Sequence, residues 1–445
     1  MDRLAPGPRA GSTVLALCLA VVVLDGFDLV IYGTVLPELL RYEPWAMSPA
    51  TGGAIASYAL LGLLLGALLS GPVTDRFGRR RPIIALTLLF SGLTLLCAFS
   101  TGVAMFGVLR FLVGLALGGA LPLTVALSLE FAPPGRRNFY SAVNQMGYGI
   151  GAILVTLSGI LVLPWLGFRA LFVIAGVLGL LLVPVLARML PESAEFLAAT
   201  GRTEQAARTR ERYGLAAPTG GVVRAEDAGS RRTALRLMGS AGYRRATVAL
   251  PVAGFFGFLL AYGMSTWLPQ LLRQSGYGLG SALALLMAAN IGNIIGNVVL
   301  SRVADRVGAR PTIAVAFGGA AVCVAALGLG LPGTVTYLLI LAAGFGALTA
   351  QALMFGLAGT FYPAAVRGTA LGWCMGLSRV GGIAGPLLGG LLVGAGLGPA
   401  WSYGAFAAAA LLACLVTLLV PRTPPGAAER EQLAPGAGVP APHTT

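Results

Sequence analysis

Long apolar runs separated by short polar stretches dominate the chain. Twelve runs, at 13–37, 51–73, 82–101, 103–129, 138–163, 168–190, 245–271, 280–300, 311–331, 335–361, 368–394 and 399–421, are candidates for membrane crossing. Each approaches the roughly 20 apolar residues that helix needs to cross about 30 Å of hydrocarbon. Helix is the expected form, because unpaired backbone groups in lipid are costly and no alternating barrel pattern is present. One longer hydrophilic stretch, 191–244, divides the runs into two sets of six. The expected organisation is an all-α membrane protein: a lead at 1–12, a six-helix bundle at 13–190, a linker with some amphipathic helix at 191–244, a second six-helix bundle at 245–421 and a tail at 422–445. The lead reads as too short and polar for a cleavable signal, so the first span is expected to serve as its own targeting signal.

Composition removes the soluble alternatives. Apolar residues make up 57% of the 445 and charged residues 10%, with a mean hydropathy of +0.84. A soluble domain would carry near a quarter charged residues. The formal charge of +14 comes entirely from arginine on the basic side, there being no lysine. These arginines cluster between spans, which argues against nucleic acid as a partner. With the N-terminus inside, 25 arginines fall on that side and three, Arg41, Arg169 and Arg273, outside, with Arg110 and Arg379 within spans. The positive-inside rule then places both termini in the cytoplasm. Cys18, Cys97, Cys323, Cys374 and Cys414 are scattered singly and His443 stands alone in the tail, so no metal site is expected.

An internal repeat recurs at an offset of 230 residues: Asp75-Arg-Phe-Gly-Arg-Arg80 matches Asp305-Arg-Val-Gly-Ala-Arg310, and Phe131–Arg137 matches Phe361–Arg367. Duplication of a six-span unit places a substrate cavity between the halves.

The stretch Gly71-Pro-Val-Thr-Asp75-Arg76-Phe-Gly78-Arg79-Arg80 resembles the signature of the major facilitator superfamily. The resemblance implies a twelve-helix secondary transporter in which this cluster latches the halves. Asp75, Arg76 and Arg80, with their echoes Asp305, Arg306 and Arg310 and the loop residues Glu130 and Arg137, then form the gate set. Glu130 reads as a rim salt bridge beside Arg136 and Arg137. Asp25-Gly-Phe-Asp28 is similar to the D-G-x-D of the aromatic acid:proton symporter branch. Further matches to that branch are Pro191-Glu-Ser193, Trp267-Leu-Pro269, Tyr362-Pro363 with Arg367-Gly368, and the glycine-rich run from Gly372-Trp373 through Arg379 to Pro386.

Independently of any family, charged groups inside a span call for a role, because each is costly at mid-bilayer unless paired or wet. Asp25 and Asp28 share one helix face at i and i+3. Burial and mutual repulsion both penalise their charged forms, so one of them can take up a proton. Asp28 is the first choice as proton carrier and Asp25 its partner, with a static ion pair to Arg110 or Arg379 as the alternative. Arg379 lies roughly 16 Å into its span; its fork suits a carboxylate, either a substrate's or an aspartate's. Arg110 opens an R-x-x-x-G run that resembles the superfamily's proton-coupling motif in span four.

Polar and aromatic residues within spans supply candidates for the cavity wall: Tyr262, Gln351 and Trp373 first, then Asn144, Trp267, Gln270 and Asn290, with Arg379 as the anion site. The absence of a phosphate-binding loop removes an ATP engine from the chain. The expected function is therefore not enzymatic: proton-coupled import of an organic carboxylate, most plausibly an aromatic acid of the benzoate or hydroxybenzoate type, across a bacterial-type inner membrane. It needs no cofactor beyond the coupling proton, and one chain, holding both halves, could work as a monomer. A proton-coupled exporter, an importer of a non-aromatic acid and a ligand sensor are the competing readings.

Overall fold

The computed structural model describes residues 9–133, 136–215 and 231–422, and the chain there is helical, with fourteen α-helices. The first half comprises α1 (Arg9–Leu39), α2 (Pro49–Phe77), α3 (Arg80–Ala98), α4 (Val103–Glu130) and α5 (Arg137–Met189). Short α6 (Ala194–Ala199), α7 (Thr203–Tyr213) and α8 (Arg231–Gly239) follow. The second half holds α9 (Arg244–Gln274), α10 (Leu279–Val307), α11 (Ala309–Leu327), α12 (Gly333–Phe361), α13 (Ala364–Gly394) and α14 (Pro399–Leu419). Segments 1–8, 216–230 and 423–445 lie outside the described residues, and with them Arg224, His443, most of the lead and the tail.

Among the described residues, eleven helices are long and apolar enough to span a bilayer. One of them, α5, makes two crossings: Gly167 takes φ 68°, ψ −177°, and folds the helix into two arms. Pro164, which lacks an amide hydrogen, precedes the bend, and Trp165 and Leu166 are exposed at its tip. The twelve expected spans are thus present, the fifth and sixth being two helices joined by the turn at Gly167. Several helices also outrun their apolar cores. α2, for instance, continues through Asp75 to Phe77, beyond the expected 73.

The repeat is visible in the packing. In the first half α1 lies against α5, α2 against α4, and α3 against α5; in the second, α9 lies against α13, α10 against α12, and α11 against α14. Glycine makes the tightest of these contacts possible. A Cβ on Gly118 of α4 would sit 2.7 Å from the Cα of Leu63 on α2, and one on Gly344 of α12 would sit 2.8 Å from the Cα of Ala289 on α10. With little hydrophobic drive between helices in lipid, such close backbone approach is a main source of cohesion.

An even number of crossings puts the start of α1 and the end of α14 on one face, the terminus face. The halves meet toward the opposite face. There one apolar cluster draws on both bundles, including Phe27, Ile31 and Leu36 from the first and Leu260, Trp267 and Leu285 from the second. Toward the terminus face the cores separate, one confined to the second half and linker and two smaller ones to the first. Among the described residues, the polar contacts that join the bundles repeat the pattern. Arg273 Nη1 meets Glu38 Oε1 at 3.4 Å, Ser57 Oγ donates to Ile383 O at 2.6 Å, and Arg379 Nη1 donates to Leu63 O at 3.3 Å. All lie at or beyond the level of Arg379. The described residues are closed on one face and parted on the face where α1 begins and α14 ends.

Candidate functional site

Two layers of ionisable groups stand at mid-depth. In the deeper one, Arg110 of α4 donates from Nη1 to Asp28 Oδ1 at 2.5 Å and from Nη2 to the Asp28 carbonyl at 3.1 Å. Thr94 of α3 donates to Asp28 Oδ2 at 2.5 Å. Both charged side chains are at most 3% exposed, and the rings of Tyr32 and Phe172 stand 6.0 Å from the guanidinium. The Asp28 carboxylate is therefore engaged at both oxygens and lies out of contact with solvent. Such a pair holds because charge and hydrogen bonding are satisfied together.

One helical turn nearer the terminus face, Asp25 is also buried, yet neither of its oxygens has a hydrogen-bond partner. Its electrostatic neighbours are Asp28, Arg379 of α13 and Tyr148 and Tyr262 of α5 and α9. Gly26 positions it: a Cβ there would lie 2.7 Å from the Cα of Tyr148, so only glycine lets α1 press this closely on α5. Arg379 is half-buried and has no carboxylate within ion-pair range among the described residues. The pairing of Arg379 with Asp28 considered from sequence is thereby corrected, because Arg110 already occupies that carboxylate.

Beside Arg379 the second half supplies an aromatic wall. Phe258 packs 5.3 Å from Tyr262 and 5.8 Å from Phe355 of α12, by ring centroids. Gln351, one turn from Phe355, is buried with both amide atoms unpartnered and faces Gly257. Buried polar atoms without partners are uncommon in folded proteins, and each calls for a physical explanation. Asp25, Arg379 and Tyr262 thus combine an acid without a hydrogen-bond partner, a cation without a carboxylate and a phenol beside a wall of rings, while Gln351 lies inside the second bundle against Gly257.

Other candidates from sequence lie elsewhere. Trp267 is fully buried and donates its indole N–H to Pro386 O at 2.9 Å, so it wedges α9 to α13 on the closed side. Asn144 donates to Ser128 Oγ and ties α5 to α4. Asn290 donates to Leu286 O at 2.9 Å and lines a small cavity enclosed by α9 to α12. Trp373 is half-exposed near the terminus face and donates to Thr247 O at 3.1 Å. Gln270 is half-buried near the closed end of α9. None of these five belongs to the cluster around Arg379.

The gate residues are apart. Asp75, Arg76, Asp305 and Arg306 are exposed and form no ion pair among the described residues. Arg80 donates to Ala187 O at 2.6 Å and Arg310 donates to Leu418 O, so each stitches the last helix of its own half. Both cations sit at helix C-termini, where the backbone dipole favours them. Glu130 pairs with Arg79 at 2.5 Å, correcting the expected partners Arg136 and Arg137. The side chain of Arg137 lies outside the described residues. Glu192, from the Pro-Glu-Ser segment, accepts from the amides of Arg79 at 2.9 Å and Arg80 at 3.1 Å and so caps α3. Sequence reasoning missed Thr94, Phe258 and Phe355. A threonine or phenylalanine in an apolar helix carries no signal of its own, and only the fold brings these beside charge.

Two pseudo-symmetric helical bundles around a mid-membrane polar cluster define a secondary transporter, not an enzyme. The Major Facilitator Superfamily model matches residues 18–383, and the chain belongs to that family. A benzoate transport protein of Acinetobacter baylyi is 30% identical over 92% of this chain and 89% of its own length. A gallate transporter of Pseudomonas putida is 33% identical over 86% of each. The inward open structure of the xylose transporter XylE from E. coli superposes with a TM-score of 0.74 at 20% identity, covering 92% of this chain and 96% of that one, a likeness of fold alone.

Proposed function

We propose that the protein imports an aromatic carboxylate together with a proton across a bacterial inner membrane, and that its present shape is the inward-open state, the terminus face being cytoplasmic. The carrying observation is the pair of unmatched charges at one level: Asp25 without a partner and Arg379 without a carboxylate, beside the Tyr262, Phe258 and Phe355 rings. A benzoate-like anion has the groups to answer this site. Its carboxylate takes the fork of Arg379 and its ring meets the aromatic wall at Tyr262. Relatives named for benzoate and gallate transport support the substrate class. The arginine bias between the faces supports the orientation.

In this reading the two aspartates divide the work, and the geometry moves the first choice of proton carrier from Asp28 to Asp25. Asp28 is held by Arg110 and Thr94. Asp25, unpaired and buried, carries the proton when Arg379 is occupied by substrate and faces Arg379 when substrate leaves. A neutral cavity lets the halves rock closed; an uncompensated buried charge opposes it. Uptake of labelled 4-hydroxybenzoate into proteoliposomes tests the proposal. Accumulation driven by an inward-directed proton gradient is expected, with Asp25→Asn supporting exchange but not gradient-driven accumulation. Gradient-independent accumulation by the wild type would overturn the coupling, and indifference to aromatic acids would overturn the substrate class.

A further inference from the structure

On the terminus face the first half carries a second polar cavity, of about 660 Å³, remote from the central cluster. It is walled by the start of α3, the end of α5 and the length of α7, and six arginines line it: Arg80, Arg81, Arg188, Arg202, Arg208 and Arg212. Glu192 is the one acid in the lining, and its carboxylate already accepts the backbone amides that cap α3. Arg80 is engaged with Ala187 O and Arg208 with Glu204. Arg81, Arg188, Arg202 and Arg212 form no ion pair among the described residues. Four exposed guanidinium groups around one hollow, without a carboxylate partner among the described residues, concentrate positive charge and attract an anion.

The surroundings say what kind of anion. Directly above the arginines, α3 exposes Leu88 and Leu89 and α5 exposes Leu181 and Val185, the apolar surface that a membrane-spanning helix turns to acyl chains. The cavity therefore lies where lipid-facing surface gives way to the polar linker, the depth of phospholipid headgroups. Planar guanidinium forks match phosphate oxygens two at a time.

We propose that this cavity is a phosphate-binding site, and that the headgroup of an anionic phospholipid fills it, bridging α3 and α5 to the linker helix α7. Purified full-length protein, delipidated and reconstituted with defined ligand, tests this by native mass spectrometry and thermal stability. Phosphatidylglycerol or cardiolipin is expected to remain bound and raise the unfolding temperature, and phosphatidylcholine to do neither. The Arg81→Gln/Arg188→Gln/Arg212→Gln variant should lose at least tenfold in affinity, and the matching Arg→Lys variant, which keeps the charge, should recover part of it. Pyrophosphate is the soluble arm: arginine-dependent binding of pyrophosphate without retention of lipid would keep the phosphate site and assign it a soluble ligand. Equal lipid retention by wild type and the folded Gln variant, or no binding of either phosphate source by the wild type, would overturn the proposal.

Discussion

Replacing Arg110 by Gln isolates the energetics of the deep ion pair. In the wild type, Asp28 receives two hydrogen bonds from Arg110, one of them to its backbone carbonyl, and one from Thr94, with almost no solvent contact. Removing the arginine leaves a buried carboxylate held by one hydroxyl. Breaking a buried pair from one side costs about 3–5 kcal/mol, because the remaining charge keeps its desolvation penalty without its partner. Asp28→Asn should cost a comparable amount for the mirror-image reason. The Arg110→Gln/Asp28→Asn double variant leaves no uncompensated charge, so its cost should fall well below the sum of the singles, with a coupling of roughly 2 kcal/mol or more. Asp25→Asn is the internal control. It forfeits no hydrogen bond, and its effect should stay within about 1 kcal/mol. Equilibrium unfolding in mixed micelles, followed by tryptophan fluorescence, measures all four. If the single variants each cost under about 1 kcal/mol, or if the double variant is strictly additive, water reaches the pair and the deep layer is not the sealed element described above.

Three further outcomes follow from the same geometry. Arg379→Lys keeps the charge but loses the fork, and a charge-assisted hydrogen bond of about 1.5–3 kcal/mol translates to a tenfold or greater rise in the concentration for half-maximal aromatic acid uptake, read from proteoliposome kinetics. Gly26→Val drives a side chain into the backbone of Tyr148, where a Cβ already falls 2.7 Å from Cα; a severe loss of folded protein in size-exclusion profiles is expected, whereas Gly71→Ala, which meets nothing within 4 Å, should be tolerated. Cysteines placed at Glu38 and Arg273, whose side-chain tips meet across the halves at 3.4 Å, should be bridged in the resting protein by a bifunctional thiol reagent that spans the length of the two lost side chains, and locking them should abolish uptake; normal uptake by the cross-linked protein would contradict a closed face that must open.

Much of the architecture was legible because bilayer thickness converts directly into run length. The twelve crossings, the division at the linker and the repeat needed only hydropathy and two matching motifs. The acidic pair on α1 was equally legible, since two carboxylates in an apolar span are anomalous in any register. What eluded the sequence was rotation. An intramembrane helix can be apolar on all sides, so periodicity does not tell which face of α9 or α10 meets the cavity. Trp373 therefore reads as eligible as Tyr262, with Trp267 and Asn290 next, although the first is half-exposed near the terminus face, the second is a buried wedge and the third lies within the second bundle. The same ambiguity leaves Arg110 and Arg379 both as partners for Asp28 in the sequence, and the packing of α4 on α1 brings Arg110 to it. The cap that Glu192 provides for α3 joins residues over 110 positions apart and has no local signature.

The repeat gives the scaffold symmetry, but the chemistry breaks it. At the offset of 230, Arg110 corresponds to Ile340, Gln351 to Leu121, Arg379 to Gly149 and Asp25 to Phe255, so that of the polar residues only Tyr262, matching Tyr32, is repeated. Helix α9, the counterpart of α1, contains no acid at all. The first bundle thus holds the carboxylates and the second holds the free arginine, the amide and the aromatic wall. On the proposed reading, proton and cargo are sorted onto different rigid bodies, and each can sense the other only across the interface at Asp25 and Arg379. Such an arrangement makes coupling a property of the junction: substitutions deep in either bundle should change binding or stability, while substitutions at the junction should separate proton movement from substrate movement. A variant such as Arg379→Lys should therefore lower the number of protons moved per substrate as well as affinity, measurable as the shift in reversal potential of uptake. An unchanged ratio in that variant would mean that proton and cargo communicate by another route.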